Sequence, residues 1–552
     1  MAEIGLSDVS LSALDTCRTL LTGQTPERCR VATCNIKCIW TSKVIFSSIF
    51  DLLLPIYFRM GLTFLHVAIL SLIALLTYYL RPRNGRPLPP GPAPLPIIGN
   101  IHQAPKEYSW KQFHEWTKQY GSIFKLQFGK DTVIVLGNYE AAHALLNQRS
   151  SNFSSRPFMP MAGVNLTKGM HILLRPYDES YKLHKRMEAP VLSITASRLY
   201  APIQDVESCQ LLKELFDSND FAFQMHRFSA SVAYSLVYGF RIATGREIEL
   251  KKAHEVQKNA AESLKQGEWI VDAVPILNLL PIWLAPWKRL AEGWFKLESG
   301  LHKSNMAKAL ASEAWNWTKH LAASKEAKEM SELEFAYDLG VLSDAALDTT
   351  GQTLEIFVMA AVKHPKAVSK AQKELDSVVG QNRLPEWDDM DNMPFVNAFI
   401  NEVLRWRPII IGGIPHSNLE EDTYFGYRIP KGSIVIASHW SIHMDEKVFG
   451  DPQIFRPERW IENPDLPNVS FGFGRRVCTG QHIARQSLFF VISRILWGFN
   501  IEMAADGAGV VPDLDDMALT DFIMIRPKPF KVRFVPRYKQ TKEIVEEKWR
   551  EY

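Results

Sequence analysis

Cysteine is scarce in this chain of 552 residues. Of the six, Cys17, Cys29, Cys34 and Cys38 fall near the start, and only Cys209 and Cys478 belong to the long remainder. Two thiols cannot form a disulfide scaffold, so the bulk of the chain reads as a protein of a reducing compartment. An excess of charge of one sign is also lacking. With 63 Lys+Arg against 60 Asp+Glu the formal net charge is +3, which gives no electrostatic footprint for nucleic acid. No internal repeat or low-complexity tract appears after Ile97, and residues 1–43 lack the basic start, apolar run and cleavage site of a signal peptide. The spacing of Cys29, Cys34 and Cys38 does not match a Cys-x2-Cys zinc pattern, so they read as unpaired thiols on an N-terminal extension, residues 1–61.

One long apolar run is present. Leu62–Leu80 contains no Lys, Arg, Asp or Glu, and at ~1.5 Å per residue it spans about 28 Å, close to a bilayer's hydrocarbon core. It is expected to be a transmembrane helix, with Tyr78 and Tyr79 at the interface. Residues 81–97 follow with Arg81, Arg83, Arg86 and a dense set of prolines, expected to form a stiff, extended hinge. Basic residues flank the run on both sides, so charge alone does not orient it. Val44–Phe58 is apolar but short and carries Asp51 and Pro55. It reads as an interfacial helix or part of a hairpin.

At ~100–200 residues per domain the length suggests about three or four domains, yet nothing after Ile97 marks a boundary. Residues 98–552 are therefore read as one domain. Alternating apolar residues over 122–137 flank Gly129-Lys130 as a hairpin, and two further short strands bracket Pro430-Lys431-Gly432. Helical periodicity dominates elsewhere. Its longest run extends from Ser331 to about Lys363 and stops before Pro365. The expected fold class is mainly α with small β-sheets, with the long helix crossing the domain.

Cys478 lies in FGFGRRVCTG, followed by the helical run QHIARQSLFFVISRIL. Gly472 and Gly474 permit a tight turn and close approach to a flat partner. Arg475, Arg476 and the helix N-terminus are expected to lower the thiol pKa. A thiolate so held suits the single axial ligand of an iron porphyrin. Gly472-x-Gly474 is not a dinucleotide fingerprint, because Val477 takes the third glycine position and no strand–turn–helix unit follows. Upstream, Glu402 and Arg405 share a face of the helix NEVLRWRP, opposite an apolar stripe of Val396, Phe399, Ile400, Val403 and Leu404.

These motifs resemble the cytochrome P450 family, the haem-thiolate monooxygenases, from the Pro-rich hinge to about Arg537. Phe471, Gly474, Arg476, Cys478 and Gly480 match its haem-binding signature, Glu402 and Arg405 its Glu-x-x-Arg pair, and the run Phe455–Trp460 its Pro-Glu-Arg motif. The PPGP segment, Pro89–Pro92, matches the one that follows the membrane anchor in microsomal members. The resemblance implies haem b with its iron on Cys478, and a network of Glu402, Arg405 and Arg459 bracing the cysteine loop. In the long helix, Ala345–Thr350 matches the oxygen-activating pattern. That match implies that Thr349 assists on the oxygen side of the haem and Asp348 relays protons, although Ala346 stands where glycine is usual. For Thr350 a bond back to the preceding turn is expected instead. The haem carboxylates are expected to meet Arg476 and His416, with Tyr181 and Lys185 replacing the usual Trp and Arg of a third site. The pair His439 and His443 reads as packing in a strand-to-turn region.

The segments expected to line the pocket are mostly aliphatic, with Asp344 and Asp521 as exceptions, which suits a bulky, largely apolar organic substrate. The order of motifs is similar to fungal microsomal members that tailor secondary metabolites, especially the O-methylsterigmatocystin oxidoreductase-like group. That implies hydroxylation, oxidative coupling or ring closure with dioxygen and electrons from NADPH-cytochrome P450 reductase. It also implies a single-pass anchor in the endoplasmic reticulum membrane. Asn468, one of four glycosylation sequons after the anchor, lies ten residues before Cys478 and could not accommodate a glycan, so the catalytic domain is expected in the cytosol. The competing readings are a haem-thiolate isomerase or dehydratase needing no external electrons, and a haem-binding membrane protein without turnover.

Overall fold

The structure, a computed structural model, describes residue 63, residues 65–73, and residues 85–552 apart from 106, 266, 506–508 and 522. The chain divides into two compact units, Met1–Gly85 and Arg86–Tyr552. In the first, residues 65–73 are helical and expose Leu65, Val67, Ile69, Leu70, Leu72 and Ile73. Among the described residues no helix is long and apolar enough to cross a membrane. The rest of the expected span 62–80, the segment 44–58 and the four N-terminal cysteines lie outside the described residues.

The second unit is mainly helical. Its helices of ten or more residues are α1 (Ser109–Tyr120), α2 (Glu179–Leu192), α3 (Ala201–Asp217), α4 (Phe221–Tyr238), α5 (Ile248–Ser263) and α6 (Pro286–Ala311), followed by α7 (Glu332–Lys363), α8 (Pro365–Val378), α9 (Pro394–Trp406), α10 (Gln481–Gly498) and α11 (Thr541–Arg550). The long helix foreseen from periodicity is α7. Ser331 caps it reciprocally with Glu334, and it ends at His364 because Pro365 opens α8. Leu347, Leu354, Phe357 and Val358 of α7 share one buried cluster with Phe228 of α4, Phe399 and Val403 of α9, and Leu488, Val491 and Ile495 of α10. Each such side chain contributes about 1.5–3 kcal/mol on burial. The centre of α7 is thus fixed at the middle of the unit.

The strands are short. The expected hairpin forms from β1 (Ile123–Phe128) and β2 (Asp131–Leu136), turning at Gly129 with φ 55°. Next come β3 (His416–Ser417), β4 (Asp422–Tyr424), β5 (Tyr427–Ile429), β6 (Ile434–Ala437), β7 (Phe499–Met503) and β8 (Val532–Pro536). The strands around Pro430-Lys431-Gly432 belong to different sheets: β5 pairs with β4, while β6 lies parallel to β2 and antiparallel to β3. Residues of the Pro-rich segment are tied onto these strands. Pro90 O accepts from Lys125 N at 2.8 Å, Pro87 O accepts from Arg428 N at 2.8 Å, and a Cβ on Gly91 would lie 2.1 Å from Lys125 O. That part of the expected spacer therefore packs on the catalytic unit.

Candidate active site

The loop before α10 is shaped by glycine. Gly474 has φ 53°, and a Cβ there would stand 2.0 Å from Leu146 O, so only glycine lets the loop lie against that backbone. Gly474 N donates to Asn147 Oδ1 at 2.5 Å and Cys478 N donates to Phe471 O at 2.8 Å. Arg485 lies 4.8 Å over the Phe471 ring. Cys478 is exposed, although Phe473 and the body of α10 from Gln486 onward are buried. The expected lowering of its pKa is not found. Although its surface is open, the protein packed around the thiol desolvates its charged form and raises its pKa, against the Gly480 backbone and the charge of Lys185. The arginines are turned elsewhere: Arg475 Nη1 donates to Tyr177 Oη at 2.6 Å, and Arg476 binds the carbonyls of Ser154 at 2.7 Å, Ile172 at 3.2 Å and Arg175 at 2.7 Å.

Behind this loop Glu402 and Arg405 are fully buried, not a surface pair. Arg405 donates to both carboxylate oxygens of Glu402, at 2.8 and 2.7 Å. Glu402 also accepts from Arg459 Nε at 3.1 Å, Trp460 Nε1 at 2.9 Å and Arg456 N at 2.8 Å. Arg405 Nη1 reaches His443 O at 3.1 Å, and His443 Nε2 accepts from Val469 N at 3.1 Å. Ser470 Oγ donates to Leu404 O at 2.8 Å. The network therefore continues into the residues that begin the cysteine loop. The pair His439 and His443 sits on a one-turn helix, a correction of the strand-to-turn expectation, and the described residues hold no metal-binding cluster.

Arg476 also lies 3.7 Å over the Tyr181 ring, whose hydroxyl donates to Arg475 O at 3.1 Å. Beside them is Arg156, which sequence reasoning missed. It donates to Leu173 O at 2.9 Å, Ile414 O at 2.9 Å and Pro415 O at 2.7 Å, and burial, then the charge of Arg476, pulls it down to about 9. Its one signal in the sequence is that no other charge occurs between Arg149 and Lys168. His416 Nδ1 donates to Phe153 O at 2.7 Å, and burial, Arg156 and Arg476 hold its pKa at about 3. Its Nε2 is thus unprotonated and becomes a donor only by taking up a proton together with an anion. Lys185 does not join this group; its Nζ pairs with Glu188 at 3.6 Å.

These residues fit a haem. Arg156 and Arg476, whose charges act on each other, are bonded to neutral carbonyls, and among the described residues neither makes an ion pair with a carboxylate. Such a donor set lacks anions and suits a pair of carboxylates. On α7, which is otherwise largely buried, Ala345 is exposed and Leu342, Ala346 and Thr349 are half-buried. Their spacing defines one uncovered stripe, and Thr349 Oγ1 lies on it, bonded back to Ala345 O at 3.0 Å. For Thr350 the expected bond to the preceding turn is displaced, since Ala346 O accepts from Ser229 Oγ of α4 at 2.7 Å. Asp348 flanks the stripe, its Oδ1 3.0 Å from His226 Nδ1.

The sequence pattern of the family described as Cytochrome P450 matches residues 89–534. Among curated proteins, the chain is 42% identical over 472 residues to a cytochrome P450 monooxygenase of Aspergillus aculeatus, covering 85% of this chain and 92% of that protein. It is 42% identical over 472 residues to one of Aspergillus calidoustus, covering 86% of this chain and 90% of the other. It is 35% identical over 518 residues to the echilunin cytochrome P450 monooxygenase of Aspergillus ruber, covering 93% of this chain and 96% of the other. A family match over most of the chain, with relatives 42% identical along nearly their whole length, shows that the chain belongs to the cytochrome P450 family and is a monooxygenase whose cofactor is haem ligated by a cysteine thiolate.

Proposed function

We propose that this protein is a membrane-anchored monooxygenase that holds haem b through Cys478. In this reading it takes electrons from NADPH-cytochrome P450 reductase and oxidises a bulky, largely apolar organic substrate in secondary-metabolite biosynthesis. The reaction would be a hydroxylation, an oxidative coupling or a ring closure. The observation that carries this reading is the braced, glycine-cradled loop that presents Cys478. When bound, the haem supplies electron-transfer and dioxygen chemistry. Cys478 would hold the iron as a thiolate, because a coordinating thiol is deprotonated by the metal's charge, which would offset the desolvation that raises the free thiol. Arg156, Arg476 and, on protonation, His416 offer donors to the propionates, and Tyr181 props the Arg476 guanidinium. Lys185, committed to Glu188, contributes its charge near the thiolate rather than a propionate contact. Thr349 offers a hydroxyl proton at the uncovered stripe of α7, and the Asp348 carboxylate beside it serves to pass protons on.

Membrane association has support in the apolar helix at 65–73 and in a second exposed apolar segment, where Ile276 is 70%, Leu279 82% and Trp283 70% exposed. In this reading residues 1–61 are an extension, 62–80 the anchor in the endoplasmic reticulum membrane, and the segment after it leads into a cytosolic catalytic domain. The cytosolic side is supported by the sequons: Asn165 and Asn316 are buried, Asn152 Oδ1 accepts from Leu419 N at 2.9 Å, and Asn468 Nδ2 donates to Asn401 O at 3.2 Å. The test is microsomal expression with the reductase, with metabolite profiling against a Cys478→Ala control. New product dependent on NADPH and absent from the control is expected. Full product formation by the variant would sink the haem-thiolate assignment, and turnover without NADPH would favour the isomerase or dehydratase.

A further inference from the structure

Asp348 does not stand alone beside the stripe. Its Oδ1 lies 3.0 Å from His226 Nδ1, and the other ring nitrogen, Nε2, lies 2.8 Å from Glu355 Oε1. The three side chains are 17%, 15% and 7% exposed. Asp348 and Glu355 lie two turns apart on α7, and the imidazole comes from α4. Gly351 between them makes the room, since a Cβ there would come within 3.2 Å of His226 Cγ and Nδ1. A neutral imidazole donates from one nitrogen only, so one carboxylate would face a lone pair. The imidazolium donates to both. His254 of α5 approaches the same Asp348 oxygen at 3.9 Å and is 47% exposed, which links the cluster to solvent.

We propose that His226 is a positioning residue for proton delivery: as an imidazolium it ties Asp348 to Glu355 and fixes the carboxylate that serves the Thr349 face of α7. This rests on the haem-thiolate reading and on the roles given there to Asp348 and Thr349. Water reaching the cluster beside the half-exposed His254 supplies protons to the Asp348 carboxylate, which passes them towards the Thr349 face. His226 keeps its own proton throughout, so the carboxylate returns to one place after each transfer. The charged neighbours are Asp348 and Glu355 from α7, His254 from α5 and Arg526 from the C-terminal segment. Burial works against the charged imidazole, but the bonds and charges of the two carboxylates outweigh it and raise His226 to about 9. For Asp348 burial acts upwards, while His226, His254 and Arg526 bring it below its ordinary value. Because the folded pKa of His226 lies above its unfolded value, its stabilisation is complete below about pH 6.5 and is lost as pH rises through about 9.

The test uses the full chain in microsomes with the reductase, NADPH and dioxygen and no added substrate. Two electrons and two protons per dioxygen yield hydrogen peroxide; four of each yield two waters. Weak proton delivery therefore raises the peroxide share of the NADPH consumed. The wild type is expected to keep that share low near neutral pH and to raise it severalfold as pH passes about 9. His226→Gln should raise it severalfold at every pH and flatten the profile, and His226→Lys, which keeps a cation, should restore the low neutral value. Thermal melting across the same pH range is expected to lose its alkaline decline in His226→Gln. A peroxide share and pH profile in His226→Gln equal to wild type overturn the proposal, even if melting changes, because the ion pair would then be structural only. If His226→Gln does not fold, the comparison is carried by His226→Lys: an alkaline rise that stays at about pH 9 in that variant overturns the proposal equally. The reduced carbon monoxide spectrum separates the two levels, since its failure to show thiolate ligation in the wild type would sink the haem-thiolate reading itself.

Discussion

The support of the cysteine loop and the Asp348 face of α7 both bury ionised groups, but of different kinds. Around Glu402 the carboxylate meets two guanidiniums, an indole N–H and a backbone N–H, and Arg405 and Glu402 are completely covered. The Arg405 guanidinium grips both carboxylate oxygens in a rigid fork, so the loop keeps one geometry. Around Asp348 the central group is an imidazole raised to about 9, partly covered and reached from solvent through His254. A fixed network suits a ligand that must not move, and a titratable one suits a group that passes protons.

The strongest way to break this contrast is Arg405→Ala. It leaves Glu402 buried with fewer donors and is expected to cost about 3–5 kcal/mol, measured by urea unfolding, and to yield protein without haem. Normal haem content in that variant would refute the bracing role. Arg156→Ala is expected to weaken haem binding by about 1.5–3 kcal/mol, the size of a charge-assisted hydrogen bond, with the cysteine side still folded. The rate of haem transfer to an acceptor protein measures it, and an unchanged rate would remove Arg156 from the site. Smaller again is Ser229→Ala, which takes one donor from Ala346 O and should cost about 1 kcal/mol in melting experiments. A larger loss would mean that α7 near Ala346 depends on α4 for its shape.

Features carried by local pattern were legible before any coordinates. The 129–130 turn, the start of the long helical run at Ser331 and its stop before Pro365 follow from residue types next to one another. Glu402 and Arg405 could be paired because i,i+3 spacing on a helix makes them neighbours. What distant chain segments do to one another was not legible. Arg156, His226 and Glu355 carry no motif, and only packing shows that they face Arg476 and Asp348. The family resemblance implies a place for Lys185 at the haem carboxylates, yet Glu188, one turn along the same helix, competes for its charge. The expected fall in the Cys478 pKa failed for the same reason: sequence places Arg475 and Arg476 beside the thiol, but their side chains are drawn off to Tyr177 and to carbonyls of residues 154–175.

By itself the sequence determined that one cysteine in the main body lies in a glycine-rich turn before a helix, that a long helix carries an acid beside a threonine, and that disulfides hold none of it together. These are consequences of residue type and short spacing, which dihedral preferences and helical periodicity transmit directly. Only the tertiary structure decided where the charges go: two guanidiniums turned onto backbone carbonyls, one carboxylate surrounded by donors, and one imidazole held between two acids. Coulomb energy and desolvation depend on distance and burial, and those are fixed when α4, α7, α9 and the loops meet, not by order along the chain.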